Sequence, residues 1–285
     1  MKMHVRRAMH FSGRSAISCS RADSGDSRAP YHTMRLILHI LLMVIFASSA
    51  LPRSAASATT GRFWTYFNLV ALVSNNWSFV AMPGVRYEFA RTDDALLRPR
   101  KEFYFYELLI GPTYARTRGR FSMKLPFWYY YMGFPSKDAY DFSHNIEFLP
   151  IFNFRAGKIL LTSRTIFHNT VYASVYETPE LRKGYSLVIR QYFEMAYGLN
   201  QRLSLQLADE PFFGVIEDSE APPSAIGFWP TGFRLNRIYA GLKFQVTPYF
   251  SLAPLYVFET AYDEGRVTDT NHYIFLSFNY LMELF

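Results

Sequence analysis

His272-Tyr273-Ile274-Phe275-Leu276-Ser277-Phe278-Asn279-Tyr280-Leu281-Met282 decides the fold. Taken at every other position, His272, Ile274, Leu276, Phe278, Tyr280 and Met282 share one face. Tyr273, Phe275, Ser277, Asn279 and Leu281 share the other. Side chains alternate across a β-strand, so such a segment can turn one face to lipid and keep the other more polar. No helix period runs through this stretch, and its aromatic content suits a strand.

Ten more segments carry the same period, at approximately residues 62–73, 76–90, 102–116, 118–131, 141–155, 157–172, 183–198, 201–216, 231–246 and 249–262, the final one being 270–284. Their connections alternate in length. Short ones fall at Ser74-Asn75, Thr117, Ala156, Leu199-Asn200 and Thr247-Pro248. Longer polar ones cover residues 91–101, 132–140, 173–182, 217–230 and 263–269. Short turns on one side and long loops on the other mark a transmembrane barrel inserted from the periplasm. The expectation is therefore an all-β protein, an antiparallel transmembrane β-barrel, monomeric and embedded in outer-membrane lipid and lipopolysaccharide. Eleven segments conflict with the even strand counts of bacterial single-chain barrels. About twelve strands are expected, with ten as second choice.

Four further segments show a clear phase. In 76–90 the outward set is Trp77, Phe79, Ala81, Pro83, Val85, Tyr87 and Phe89, which leaves Arg86 and Glu88 inward. In 118–131 Phe121, Met123, Leu125, Phe127, Tyr129 and Tyr131 point out, leaving Arg120 and Lys124 inward. Segment 141–155 sends Phe142, Ile146, Phe148, Phe152 and Phe154 out and Asn145, Glu147, Asn153 and Arg155 in. Segment 183–198 sends Tyr185, Leu187, Ile189, Phe193, Met195 and Tyr197 out and Arg190 and Glu194 in. Segments 157–172 and 249–262 are apolar in both phases and cannot be oriented. The predicted lumen-facing charges are Arg86, Arg120, Lys124, Arg155, Arg190 and Arg234 against Glu88, Glu107, Glu147 and Glu194. Neither sign dominates, so a salt-bridged and largely closed interior is preferred. The alternative is a narrow, charge-selective diffusion channel for small polar solutes.

The chain begins with a different signal. Arg35 precedes the apolar run Leu36-Ile37-Leu38-His39-Ile40-Leu41-Leu42-Met43-Val44-Ile45-Phe46, and Ala56-Ser57-Ala58 has the form of a cleavage site. This pattern predicts a secretory signal peptide over residues 34–58, cleaved after Ala58 with Ala50 as second choice. The run falls well short of the ~20 residues that span a bilayer as a helix. Residues 1–33, rich in Arg, Ser and Asp, read as a non-native, unordered upstream extension, with translation starting at Met34. Cys19, the only cysteine, lies there without a hydrophobic run before it, which argues against a lipoprotein signal. Eight of the 30 Lys/Arg and two of the 23 Asp/Glu fall in residues 1–58, leaving 22 basic against 21 acidic residues in the barrel. The high pI of about 9.4 therefore belongs to the leader, and nucleic acid is not an expected partner.

After position 58 the chain carries 25 Phe, 20 Tyr and 4 Trp. Soluble cores rely more on Leu, Val, Ile and Ala, so a periplasmic β-sandwich suits this composition poorly. A membrane barrel places aromatics in girdles, with the ring body in hydrocarbon and the polar tip at the headgroups.

Short motifs add a resemblance. Asn236-Arg237-Ile238-Tyr239-Ala240-Gly241-Leu242 is followed by Thr247-Pro248-Tyr249-Phe250-Ser251-Leu252, and the chain closes with Asn279-Tyr280 near its end. Together with the turn Ser74-Asn75-Asn76-Trp77-Ser78, this resembles an uncharacterised outer-membrane barrel family of Gram-negative bacteria, known only as a domain of unknown function. Its members carry an Asn-Arg-x-Tyr strand and end in Asn-Tyr-x-Phe. The resemblance implies an integral outer-membrane protein, assembled by the barrel-assembly machinery, and it implies no substrate. The family's terminal Phe falls at Met282, and Phe285 restores an aromatic end out of phase.

Catalysis is not expected. A Ser–His hydrolase needs its base within reach of its nucleophile, which on one strand face favours i, i+2 spacing. After the leader only His144, His168 and His272 remain, and none has Ser two residues away, although His168 has Thr170. All three are expected at the external rim, as polar residues of the membrane interface. A lipid-modifying hydrolase using a rim His is the enzyme alternative. No Cys, close His pair or acidic calcium loop suggests a metal site, and no cofactor motif is present. The acidic run Glu217-Asp218-Ser219-Glu220 reads as a solvated loop tip.

Overall fold

The computed structural model describes residues 58–91, 102–135, 140–174, 181–218, 220 and 228–284. The predicted upstream extension with Cys19, the leader up to residue 57, Ser219 and the connections at 92–101, 136–139, 175–180 and 221–227 lie outside the described residues. The strands are β1 (Ala58–Leu72), β2 (Trp77–Arg91), β3 (Glu102–Arg118), β4 (Phe121–Pro135), β5 (Tyr140–Phe148), β6 (Ile151–Ala156), β7 (Ile159–Ser174), β8 (Leu181–Gly198), β9 (Leu203–Ile216), β10 (Gly232–Gln245), β11 (Phe250–Asp263) and β12 (Arg266–Glu283). They form one closed, all-β ring in which each stave pairs with the next in sequence and β12 returns to β1.

Twelve strands occupy eleven positions around that ring. β5 and β6 are two halves of one stave between β4 and β7, and the pairs Phe127↔Phe148 and Lys124↔Ile151 keep one register across the gap. Pro150 causes the interruption, because its nitrogen cannot donate to the ladder. The wall stays continuous around it. Leu149 N donates to Pro126 O at 3.0 Å, and Thr165 N donates to Pro150 O at 3.1 Å.

An odd number of staves has a geometric consequence. The first and last staves of the meander run in the same direction, so the ring closes in parallel, from Ala58↔Asp269 to Leu72↔Glu283. The expectation of antiparallel pairing throughout is corrected at this one seam. Parallel ladders are slightly weaker per residue, and here polar side chains reinforce the junction. Thr59 and Thr270 share a hydrogen bond at 3.0 Å, Thr60 donates to Asn271, and Asn68 Nδ2 donates to Asn279 Oδ1 at 3.0 Å.

The described turns fix the register of neighbouring staves. The connection expected to be a loop over residues 263–269 is instead a tight turn, because β11 and β12 extend to Asp263 and Arg266. Glu264 at φ 47° and Gly265 at φ 75° both take the left-handed conformation that a twisted two-residue hairpin requires. The opposite rim carries the short turns predicted from sequence, including β3–β4 and β6–β7.

The expected phases hold in the ring. Phe67, Trp77, Phe79, Phe121, Phe127, Phe193 and Ile274 stand exposed on the outer wall, several at about half their full accessibility or more. Trp64, Val80, Leu109, Tyr130, Tyr239, Val257 and Tyr273 are buried within it. Gly84 lies on the inner face opposite Tyr66, and a Cβ there would come within 2.5 Å of the tyrosine ring. Gly84→Val therefore overpacks the lumen and is expected to cost about 1–3 kcal/mol. Urea unfolding of the barrel in lipid vesicles measures that cost. A midpoint equal to wild type would remove the steric account.

Candidate functional site

The staves project their charged inner residues into one layer near the middle of the ring. Most of these groups form a continuous chain of contacts. Arg62 Nε pairs with Glu88 Oε2 at 3.0 Å, and Arg62 Nη1 donates to Tyr273 OH at 2.9 Å. Tyr273 OH donates to Glu259 Oε1 at 3.0 Å, and Glu259 Oε2 meets Arg237 Nε at 2.6 Å. Arg237 Nη1 lies 3.9 Å from Glu210 Oε2, and Glu210 Oε1 accepts from Arg190 Nη2 at 2.9 Å. Arg190 Nη1 stands 3.7 Å from Glu147 Oε1, which meets His168 Nδ1 at 2.8 Å. A second cluster completes the circuit: Arg86 Nε lies 3.4 Å from Glu107 Oε1, with Trp64 Nε1 and Tyr130 OH donating to Glu107 at 2.8 and 2.6 Å.

Every position of the ring supplies at least one of these groups. The two clusters meet where Arg86 lies between the rings of Trp64 and Phe105, 4.2 and 4.3 Å from their centroids. Arg237 lies over Trp64 and Phe212, Arg190 over Phe212, and Arg164 over Tyr192. Such stacking suits guanidinium groups, which are planar and weakly hydrated. The side chains of Glu107 and Glu210 are wholly sealed from solvent. Buried carboxylates persist when they are paired and their oxygens are hydrogen-bonded.

Two cavities flank the layer. One of about 380 Å³ lies toward the long-loop rim, against Arg62, Tyr104, Phe134 and Trp229. Another of about 270 Å³ lies toward the short-turn rim, against Asn68, Trp128, Tyr192 and Asn279. Both are bounded by Trp64, Tyr66, Tyr130 and Arg190.

Of the ten charged residues predicted to face the lumen, Arg86, Glu88, Glu107, Glu147 and Arg190 join the layer. Glu194 lies one tier nearer the short-turn rim, accepting from Tyr192 OH at 2.7 Å and Gln206 Nε2 at 3.2 Å. Lys124 and Arg155 sit at that rim, and Arg120 occupies the β3–β4 turn. Arg234 stands apart from the layer, at the long-loop rim beside a register shift between Phe233 and Leu235, where its Nη1 meets Asp263 Oδ1 at 2.6 Å.

Sequence reasoning missed Arg62, Arg164, Glu210, Arg237 and Glu259. Arg164 and Glu259 stand on the two segments whose phase was unreadable. Glu210 carried a usable signal, since it alternates with Gln206 and Ser204 against Leu203, Leu205 and Leu207.

The histidines divide. His144 and His272 are on the outer wall, hydrogen-bonded to Tyr129 and Tyr256. His168 is corrected from a rim position to the interior, since its strand turns the even-numbered residues inward. There Glu147, His168 and Thr170 line up as an acid–imidazole–hydroxyl series, with Thr170 Oγ1 3.4 Å from His168 Nε2. The hydroxyl donates instead to Asn145 Oδ1 at 2.6 Å, and Thr170 is fully buried. A nucleophile needs its base aligned and its substrate admitted. Among the described residues no group of three or more His, Cys, Asp or Glu is placed to hold a metal ion.

No protein-family model matches the chain, and no curated protein matches it. Among solved structures it is similar to the outer-membrane expressed OmpT of Vibrio cholerae, with a TM-score of 0.27 and 9% identity over 77% of this chain and 96% of that one.

Glu210 tests the layer. Glu210→Gln leaves Arg164, Arg190 and Arg237 short of one buried counter-charge, a loss expected to cost about 3–5 kcal/mol. Arg234→Gln, at a pair with one exposed partner, is expected to cost less than about 1 kcal/mol. Denaturant titration of both variants measures the contrast, and equal losses would overturn it.

Proposed function

We propose that the chain is an integral outer-membrane β-barrel of a Gram-negative bacterium, occluded at its middle and structural rather than catalytic. The exposed aromatic and aliphatic outer wall supports residence in a membrane, because apolar area on this scale is unfavourable in water. Tyr87, Phe103, Tyr185 and Phe233 near one rim, and Trp77, Tyr114, Phe121 and Tyr280 near the other, suit the two headgroup interfaces. The long-loop rim then faces outward, toward lipopolysaccharide. The short-turn rim faces the periplasm.

One observation carries the occluded reading: the layer of ion pairs and tyrosines draws on every position of the ring. Solute moving along the axis must separate charges that are bonded to one another and stacked on rings. The absence of catalysis is proposed on the sealed hydroxyl of Thr170, the only hydroxyl within reach of the interior imidazole among the described contacts.

A narrow channel is the second reading. It is favoured by the cavities on both sides of the layer, which share only a few bounding side chains. Planar-bilayer recordings separate the two. Wild-type protein is expected to show no stable open level, whereas the variant Trp64→Ala/Tyr66→Ala is expected to show discrete conductance steps. Stable steps from wild-type protein would replace the occluded reading with the channel.

A further inference from the structure

Charge is distributed differently at the short-turn rim. Arg155, Lys158, Arg202 and Lys243 line a cavity of about 250 Å³ there, together with neutral donors such as Gln206 and Gln245. The one acid in its lining is Glu194, whose two oxygens already accept from Tyr192 and Gln206. Among the described residues none of the four cations has a carboxylate within ion-pair distance, although the layer above pairs each of its arginines. Lys124, on the facing side of the ring, is near enough to Lys243 for the two charges to repel each other.

The backbone that carries two of these cations is tied to its neighbours. Lys158 O accepts from Gly198 N at 2.8 Å, and Arg202 O accepts from Gln245 N at 2.7 Å, which ties three neighbouring connections together. Asn200 Oδ1 accepts from Arg202 N and Leu203 N at 2.8 and 2.9 Å, fixing the β8–β9 turn. A concave site lined by one sign of charge concentrates the field and draws in counter-ions. Four cations around one small polar space match several negative oxygens on one compact solute.

We propose that the short-turn mouth is a binding vestibule for a small, soluble, multiply charged oxyanion, a polyphosphate or polycarboxylate. The occluding layer makes it a blind site, loaded and emptied from one side. Binding at the vestibule stands whether or not the layer ever opens.

Isothermal titration of the whole chain in neutral detergent, with tripolyphosphate as the probe at low ionic strength, tests the proposal. Saturable one-to-one binding is expected, weakening as salt screens the site. Lys158→Gln/Arg202→Gln is expected to lower affinity about tenfold or more, and Glu194→Gln to raise it several-fold. Arg116 and Arg118 lie near the same rim on the outward phase of β3, so Arg116→Gln/Arg118→Gln is expected to change affinity less than about twofold. Heat-dependent gel mobility verifies that each variant is folded, and Glu194→Gln decides the question if the double variant is not. No saturable heat from wild-type protein overturns the proposal, as does an equal loss in the outward-facing control. Phosphatidylglycerol that displaces tripolyphosphate from wild-type protein would assign the site to a lipid headgroup and overturn the soluble ligand.

Discussion

The seam between β1 and β12 is the junction on which the molecule depends, because until it forms the sheet has two open edges. Exposed strand edges pair with other chains, and in hydrocarbon an unpaired backbone group costs several kcal/mol. Eleven staves leave only a parallel way to close. The evenly spaced but slanted bonds of that ladder are supplemented by paired threonines and asparagines along its length. Arg62 adds a stronger tie, since it stands on β1 and donates to Tyr273 on β12 while paired with Glu88 on β2. Closure and the charged layer are thus one construction.

The layer explains why so many rings lie inside a cylinder that also needs rings outside. A lumen of this width is too broad for small apolar side chains and too narrow for bulk water. Arginine stacked on tryptophan, phenylalanine or tyrosine fills it, and carboxylates beneath the guanidinium groups balance the charge. Glu210 shows the economy of the arrangement, with three arginines around one carboxylate and Tyr239 OH donating to it at 2.5 Å. Replacing any single member leaves its neighbours buried and uncompensated, which makes the layer rigid.

Much of this was legible beforehand. The eleven segments and the inward placement of Arg86, Glu88, Glu147 and Arg190 follow from a two-residue period, and the short turns of one rim from the breaks between segments, whereas the loop expected over 263–269 is a tight turn. The parallel closure is not legible in the sequence, because bacterial single-chain barrels have even strand counts and eleven periodic segments do not show how the ring closes. Segment 157–172 has no readable phase because apolar residues stand on both faces, with Ile166 buried inside and Leu161 exposed outside. Its outer face carries Ser163 and Thr165, which satisfy each other through Gln191: Thr165 Oγ1 donates to Gln191 Oε1 at 2.7 Å, and Gln191 Nε2 donates to Ser163 Oγ at 3.1 Å. Polarity on an outward face hides the period wherever a partner on the adjacent stave absorbs it. Arg234 is a different case: it stands at a bulge, where the phase shifts by one residue without marking the sequence, so the period alone does not fix its place.

The parallel seam also gives the wall a polarity that an even-numbered meander lacks. Ala58 begins β1 at one rim and Glu283 ends β12 at the other, so the strand that opens the wall and the strand that finishes it start level and descend together. The first and last residues of the wall therefore lie a full stave length apart, at opposite mouths of the cylinder.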